Sequence, residues 1–327
     1  TIGVPIVTNR HIDDLETLTF DADFDAVLVA VGTHAGIKLN IPGNDLDGVW
    51  DGLTFLRKVN SGDAVTVGRQ VVVLGGGNVA FDCARVARRL GAGRVTIACL
   101  EQKDEMPAAC DEIEEGEEEG IRVMPMRTFT RIVEEAGRAA GVACLEVSSF
   151  AFDEEGGVDI EVTDGSDHVL TGDMVIFAIG QRPEVPEDYD LDLDERGRID
   201  VDPYTFETSE AGIFAAGDAA MGTSSVIAAI ASGRDNAMAI DRYLGGDGNI
   251  DERLAPETPV KTWLGPDEDF ARLDRCAKYC IGVEDRLSGF CTMVQTLEEE
   301  EALEESSRCL QCDLRLKISP VRFWGDF

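Results

Sequence analysis

Residues 71–89 read VVVLGGGNVAFDCARVARR, and no other stretch restricts the fold as strongly. The apolar run at 71–74 predicts a buried strand. Gly75, Gly76 and Gly77 follow at once, and Val79, Ala80, Cys83, Ala84, Val86 and Ala87 then recur at helical spacing. Strand, glycine turn and helix, in that order, are the context that a G-x-G-x-x-G/A fingerprint requires. Gly75 permits the turn, Gly77 leaves room for a pyrophosphate beside the backbone, and Ala80 lets helix and strand pack closely. The helix N-terminus adds N–H donors and the positive end of its dipole. Gly75, Gly76, Gly77, Asn78, Val79 and Ala80 are therefore the candidate dinucleotide-binding residues. An ordinary βα turn with glycines is the plainer alternative, and the further strand at 95–100 (VTIACL) weighs against it.

That second strand ends at Glu101. A carboxylate in this position accepts hydrogen bonds from the adenosine ribose 2′-OH and repels a 2′-phosphate. Glu101 thus favours NAD(H) over NADP(H), while Arg94 and Lys103 nearby soften the repulsion. A solvated charge at a strand end is the alternative role for Glu101.

The chain has 327 residues, enough for about two domains. Its formal net charge of −35 argues against nucleic acid and against anionic membranes as partners. No apolar run approaches the ~18 residues of a membrane helix. With no secretory pattern either, the expectation is a cytoplasmic protein without membrane insertion. The acidic runs at 111–119 and 298–305 read as solvated helix faces. Residue 1 is Thr, so the native start is expected upstream.

Further along, 25–31 (DAVLVAV) and 174–180 (MVIFAIG) are unbroken apolar strands, and each run closes on a glycine, Gly32 and Gly180. Each suits a point where the chain leaves one domain beneath a bound nucleotide. Segments 129–135, 144–152 and 158–162 read as an antiparallel meander, and 224–244 as a helix behind Gly217-Asp218. The organisation expected is a broken α/β domain, an inserted α/β domain that carries the fingerprint, and a return to the first. Its parts are 1–57 (outer domain), 58–180 (inserted domain), 181–245 (return to the outer domain) and 246–327 (an acidic, cysteine-rich extension).

Taken together, VLVAVGTHAGIKLNIPG at 27–43, the fingerprint at 71–97, MVIFAIGQRP at 174–183 and GIFAAGDAA at 212–220 carry a resemblance. The chain resembles flavoproteins with two Rossmann-like dinucleotide-binding domains, of the type of the glutamate synthase small (beta) subunit and its NAD(P)H-dependent relatives. The resemblance implies FAD in the outer domain and NAD(P)H in the inserted one. It assigns the ribityl and phosphate part of FAD to Gly217 and Asp218. It directs the helix opened by Ser224, Ser225 and Val226 toward the flavin pyrimidine, where N–H donors suit the charge of a reduced flavin. The family's own glycine fingerprint for the ADP half of FAD is not found before Val27. FAD is therefore expected in a longer polypeptide, with the flavin site in this stretch incomplete. NADPH-using members carry an Arg pair after the second strand of the inserted domain, where this chain has Leu100-Glu101-Gln102-Lys103. The C-x-x-C of thioredoxin-reductase-like members has no counterpart among Cys83, Cys99, Cys110 and Cys144.

Nine cysteines are present, and five of them crowd the C-terminal part. Arg308-Cys309-Leu310-Gln311-Cys312, behind an acidic helix, resembles the opening of the family's iron–sulfur motif. Cys309 and Cys312 are thus candidate ligands of a [4Fe–4S] cluster, with Cys276, Cys280 and Cys291, or a partner, supplying the rest. Cys276 and Cys280 are expected on one helix face. Zinc is the rival occupant, and an empty motif the third possibility.

The function these features imply is an oxidoreductase module. It takes hydride from NAD(P)H to FAD and passes electrons to an iron–sulfur cluster or an electron-accepting partner subunit. No side chain is required as a catalytic acid or base. The alternative is an NAD(H)-binding sensor or assembly module without flavin chemistry.

Overall fold

The computed structural model describes residues 3–19, 24–152, 157–250 and 272–308. The chain divides into two units, Thr1–Ile250 and Asp251–Phe327. Unit 1 opens with α1 (Glu16–Thr19), β1 (Val27–Val29) and the short β2 (Ala35–Gly36). β3 (Val49–Asp51) and α2 (Gly52–Asn60) follow, then β4 (Gln70–Leu74), α3 (Asn78–Arg89), β5 (Arg94–Ala98), α4 (Cys110–Glu118) and β6 (Arg122–Met124). A run of strands comes next: β7 (Arg127–Glu135), β8 (Arg138–Phe152), β9 (Val158–Val162), β10 (His168–Thr171) and β11 (Met174–Phe177). The chain then returns through β12 (Gln181–Arg182), β13 (Ile213–Ala215), α5 (Asp218–Met221) and α6 (Val226–Tyr243).

Three layers form the inserted part. The middle layer is a parallel sheet in the order β3-β11-β4-β5-β6. Val71, Val72, Val73 and Leu74 are all buried, as a strand covered on both faces demands. Their alternation sorts them between the layers. Val71 and Val73 join the core beneath α2 and α3. Val72 and Leu74 face Ile132, Val142 and Cys144 of the antiparallel sheet built from β7, β8 and β10. The sheet also begins earlier than residue 58, where the sequence reading starts the inserted domain. Val49–Asp51 pairs with β11 through Val49↔Val175 and Phe177↔Asp51, and Asp51 caps α2 by accepting from the Thr54 N–H at 2.9 Å.

Outside these layers, β1 pairs with β13 in parallel over a small core of Leu15, Val29, Ile199 and Ile213. The two connections between outer and inserted parts pair with each other, β12 with β2, through Gln181↔Gly36 and Arg182↔Ala35.

The acidic run at 111–119 is not simply a solvated face. α3 presents Arg85 and Arg89 to α4, and Arg85 meets Glu112 at 2.7 Å, Glu115 at 3.2 Å and Glu119 at 3.0 Å. Arg89 reaches the same Glu119 oxygen at 3.1 Å, and the Glu119 side chain is fully buried. Only part of the run, including Asp111, Glu114, Glu117 and Glu118, is exposed. The partners lie in a helix remote in sequence, which is why the run looks solvated when read alone.

In unit 2, α7 (Val283–Leu287) and α8 (Glu299–Ser307) are the helices among the described residues. Cys276 and Cys280 do not share a helix face. Residues 279–281 pair with 293–295 through Ile281 N–H to Met293 O at 3.0 Å and Gln295 N–H to Tyr279 O at 2.8 Å, which holds this backbone extended. The acidic α8 is partly engaged as well: the Glu305 carboxylate accepts from the Cys276 N–H at 2.8 Å.

The buried charge cluster yields a stability prediction. Glu119→Ala leaves Arg85 and Arg89 without their shared buried counter-charge, so it should cost about 3–5 kcal/mol. Urea unfolding followed by circular dichroism measures this. A loss below about 1 kcal/mol, the scale of a surface pair, would show that the cluster contributes little.

Candidate dinucleotide sites

The turn after β4 brings three glycines together for three different reasons. Gly75 has φ +135°, and a Cβ there would lie 2.2 Å from the Ala178 carbonyl oxygen. A Cβ on Gly76 would meet the Glu101 carboxylate at 2.8 Å. Gly77 is the N-cap of α3 with no side-chain cap, and a Cβ there would find nothing within 4 Å. An uncapped helix N-terminus facing open space suits an anion. Ala80, fully buried, packs α3 against the sheet and does not line the opening.

A cavity of about 500 Å³ opens over this turn. Gly75, Gly76, Gly77, Glu101 and Gly180 line it, as do Arg127 and Phe129 of β7 and Val158 and Ile160 of β9. Asn78 acts differently from a ligand contact: its carboxamide oxygen accepts the Ala109 N–H at 2.8 Å. With Ala108 N–H bonded to Gly76 O at 3.1 Å, this ties the loop before α4 to the turn.

Arg127 is the cation of this cavity, and it is held from several sides. Its guanidinium donates to His168 Nε2 at 3.2 Å, to the Pro125 and Met126 carbonyls at 2.9 Å each, and to Glu146 at 2.9 Å. Cys99 also borders the cavity, and burial, then the Glu101 charge, pushes its thiol up to about 12. Burial likewise raises Cys83 and brings Cys144 to about 11. These thiols stay protonated and behave as small apolar side chains.

A second cavity, of about 470 Å³, lies between β1, β13 and α6. Gly32, Gly217, Asp218, Ser224, Ser225 and Val226 all border it. Gly217 holds φ 65° and ψ −151°, a backbone conformation essentially restricted to glycine. Its N–H donates to Ser232 Oγ at 3.0 Å. Ser225 caps α6 by accepting the Ala228 N–H at 3.1 Å. Val226 and Ile230 are 76% and 63% exposed beside the opening.

A smaller cavity of about 190 Å³ shares Gly77, Ala178 and Gly180 with the first. Gly77, Asn78 and Val79 border it from the glycine turn, Gly180 and Gln181 from the crossover, and Thr223 from the segment before α6.

The described cysteines of the tail give no comparable geometry. Among the described residues no group of three His, Cys, Asp or Glu side chains is placed to hold a metal ion, Cys276, Cys280 and Cys291 included. Cys309 and Cys312 lie outside the described residues. Nor is any described helix long and apolar enough to cross a membrane.

Sequence reasoning missed the contribution of the antiparallel sheet. Phe129, Val158 and Ile160 belong to the strands that read as an antiparallel meander with no link to the site, and the available signal is the alternation V-D-I-E-V at 158–162.

A glycine-turn cavity that shares Gly77, Ala178 and Gly180 with the small cavity, and a second cavity at Gly217, sit on the architecture of an α/β oxidoreductase with Rossmann-like domains. The chain belongs to the pyridine nucleotide-disulphide oxidoreductase family, whose sequence profile matches residues 5–233, and within it the chain is glutamate synthase small-subunit-like. It is 32% identical over 325 residues to the beta subunit of an NADP(+)-dependent formate dehydrogenase from Moorella thermoacetica, covering 95% of this chain and 46% of the relative. It is 34% identical over 265 residues to the small chain of the NADPH glutamate synthase of Escherichia coli, covering 74% and 56%. The chain thus spans about half the length of the curated relatives it matches. Among solved structures, Mycobacterium tuberculosis FprA in complex with NADPH superposes with a TM-score of 0.58 at 17% identity, over 69% of this chain and 65% of that one, which shows a shared fold.

The two outer glycines of the turn should respond differently to substitution. Gly77→Val should leave thermal unfolding near the parent's and lower NADH affinity at least ~100-fold, because the side chain fills the anion's space. Gly75→Ala should instead cost about 3 kcal/mol or more of stability through strain and the Ala178 clash. Calorimetric titration and thermal melts of both variants check this. Unchanged NADH affinity in folded Gly77→Val overturns the assignment.

Proposed function

We propose that this chain is the hydride-accepting module of an NADH-dependent flavin oxidoreductase that hands electrons to a partner subunit. One observation carries the reading. Gly180 borders both the glycine-turn cavity and the small cavity that Thr223 closes at the head of α6. A dinucleotide lying along the first cavity therefore leads toward the second.

The residues around the second cavity fit the ribityl and pyrimidine end of FAD, because Gly217 leaves the backbone open and α6 offers its N-terminus. FAD bound there would accept a hydride and release electrons one at a time. Asp218 accepts hydrogen bonds from ribityl hydroxyls in this reading, and Val226 and Ile230 shield the site from water. The chain supplies position and electrostatics, and no side chain has to move a proton.

Glu101 supports NADH as the donor. Its carboxylate sits against Gly76, where a ribose 2′-OH is welcome and a 2′-phosphate is repelled. The relatives described above carry NADP or NADPH in their names, so in this reading the chain's nucleotide preference differs from theirs. Their designation as a beta subunit and a small chain supports a partner for this chain too.

In a polypeptide extended upstream by the fingerprint for the ADP half of FAD, and under anaerobic conditions, NADH should bleach the flavin bands at least ~10-fold faster than NADPH at limiting concentration. Glu101→Arg should narrow or reverse that ratio. Equal rates in the parent overturn the NADH preference, and no bleaching by either nucleotide overturns the flavin reading.

The electron exit rests on the sequence motif, with α8 ending just before Arg308-Cys309. Cys309 and Cys312 ligate a [4Fe–4S] cluster in this reading. Anaerobic reconstitution should give iron and acid-labile sulfide, and Cys309→Ser with Cys312→Ser should lose both while NADH affinity stays. Tightly bound zinc without sulfide would make the tail a structural metal site.

A further inference from the structure

We propose that the paired strands β8 and β9 form the wall on which the adenine ring of the dinucleotide lies. The inference rests on the nucleotide reading of the glycine-turn cavity and assigns a part of it that the fingerprint leaves open.

β8 has three partners along its length, with β10 pairing Gly141 to Cys144 on one side. From Arg138 to Glu146 it pairs with β7, and from Val147 to Phe152 with β9. The arm formed by that second stretch leaves the sheet beside the strand end that carries Glu101. Val147 N–H bonds Met126 O at 3.0 Å, and Met126 N–H bonds Glu101 O at 3.1 Å.

β9 reads V-D-I-E-V, so Val158, Ile160 and Val162 share one face and Asp159 and Glu161 the other. The acidic face is used locally, with Ser149 Oγ donating to Glu161 at 2.7 Å. The apolar face is only partly covered by protein, with Val158 41% and Val162 39% exposed. Val158 and Ile160 nevertheless line the cavity, together with the ring of Phe129.

The order of groups along the cavity says what belongs there. α3 receives the pyrophosphate and Glu101 the adenosine ribose. Gly180, at the crossover, lies at the nicotinamide end. The adenine then falls beyond Glu101, on the side where the arm departs. A purine has flat apolar faces and a polar edge, and two branched aliphatic side chains beside a phenyl ring match such a face. Arg127 lies in the same region, and its bonds to Glu146, His168 and two carbonyls hold it as a fixed edge.

The test uses the whole chain carrying Val158→Ser and Ile160→Ser, with NADH, ADP-ribose and reduced nicotinamide mononucleotide as ligands. The variant should bind NADH and ADP-ribose about tenfold more weakly than the parent, and the adenine-free mononucleotide equally well. Val158→Thr, similar in shape at an exposed strand position, should show a smaller loss in the same pattern, about threefold, so the proposal stays testable if the double variant unfolds. Parent-like binding of NADH and ADP-ribose overturns the assignment. An equal loss for the mononucleotide overturns it too, because a general disturbance of the site would produce that. A parent that binds no NADH overturns the nucleotide reading itself, whereas a parent that binds NADH beside indifferent variants overturns the arm alone.

Discussion

The first unit depends on how closely the turn after β4 approaches the end of β11. Ala178 N–H donates to Leu74 O at 2.7 Å, and the Ala178 carbonyl occupies the space that a Gly75 side chain would need. Any larger residue at 75 would push the two strand ends apart. Because they stay together, the phosphate-facing turn and the crossover at 178–180 become neighbours. The cavity over the turn and the passage toward the outer part then share lining residues, which is the geometric condition for one bound molecule to reach from one to the other.

A second constraint is electrostatic. The chain carries a large excess of carboxylates, yet arginines gather several of them at the interface of α3 and α4. Burial, then the charge of Glu112, raises the nearby Asp82 carboxyl above the ordinary range, with Arg85 opposing that shift. The charge of this region is thus arranged rather than merely spread over the surface. It fixes α4, and through the Asn78 and Gly76 hydrogen bonds the loop before α4 is fixed to the glycine turn.

What the sequence disclosed follows from the range of each signal. The strand, turn and helix at 71–89 are legible because all their determinants lie within one turn or pleat of each other. Glu101 is legible because its position is set by the length of a single βα unit. The pairing of β3 with β11 was not, since the partners lie more than a hundred residues apart, and the domain boundary drawn at 58 missed it. The same limit hid the partners of the acidic run. It also produced the error at Cys276 and Cys280, where an i, i+4 spacing suggests a helix and pairing with residues 293–295 imposes extended backbone. Val158 and Ile160 could be read as a strand, but only the course of β8 past Met126 brings that strand to the cavity.

The pairing of β2 with β12 has a mechanical consequence. Two chain crossings that are hydrogen-bonded to each other behave as a two-ply strap. Pulling the outer and inserted parts away from each other must strain or break the ladder at Gln181↔Gly36 and Arg182↔Ala35. Rotating one part about the strap asks only for small torsions spread along a short twisted ribbon. The strap thus resists changes in separation far more than changes in heading, and it acts as a pivot of fixed length between the two cavities.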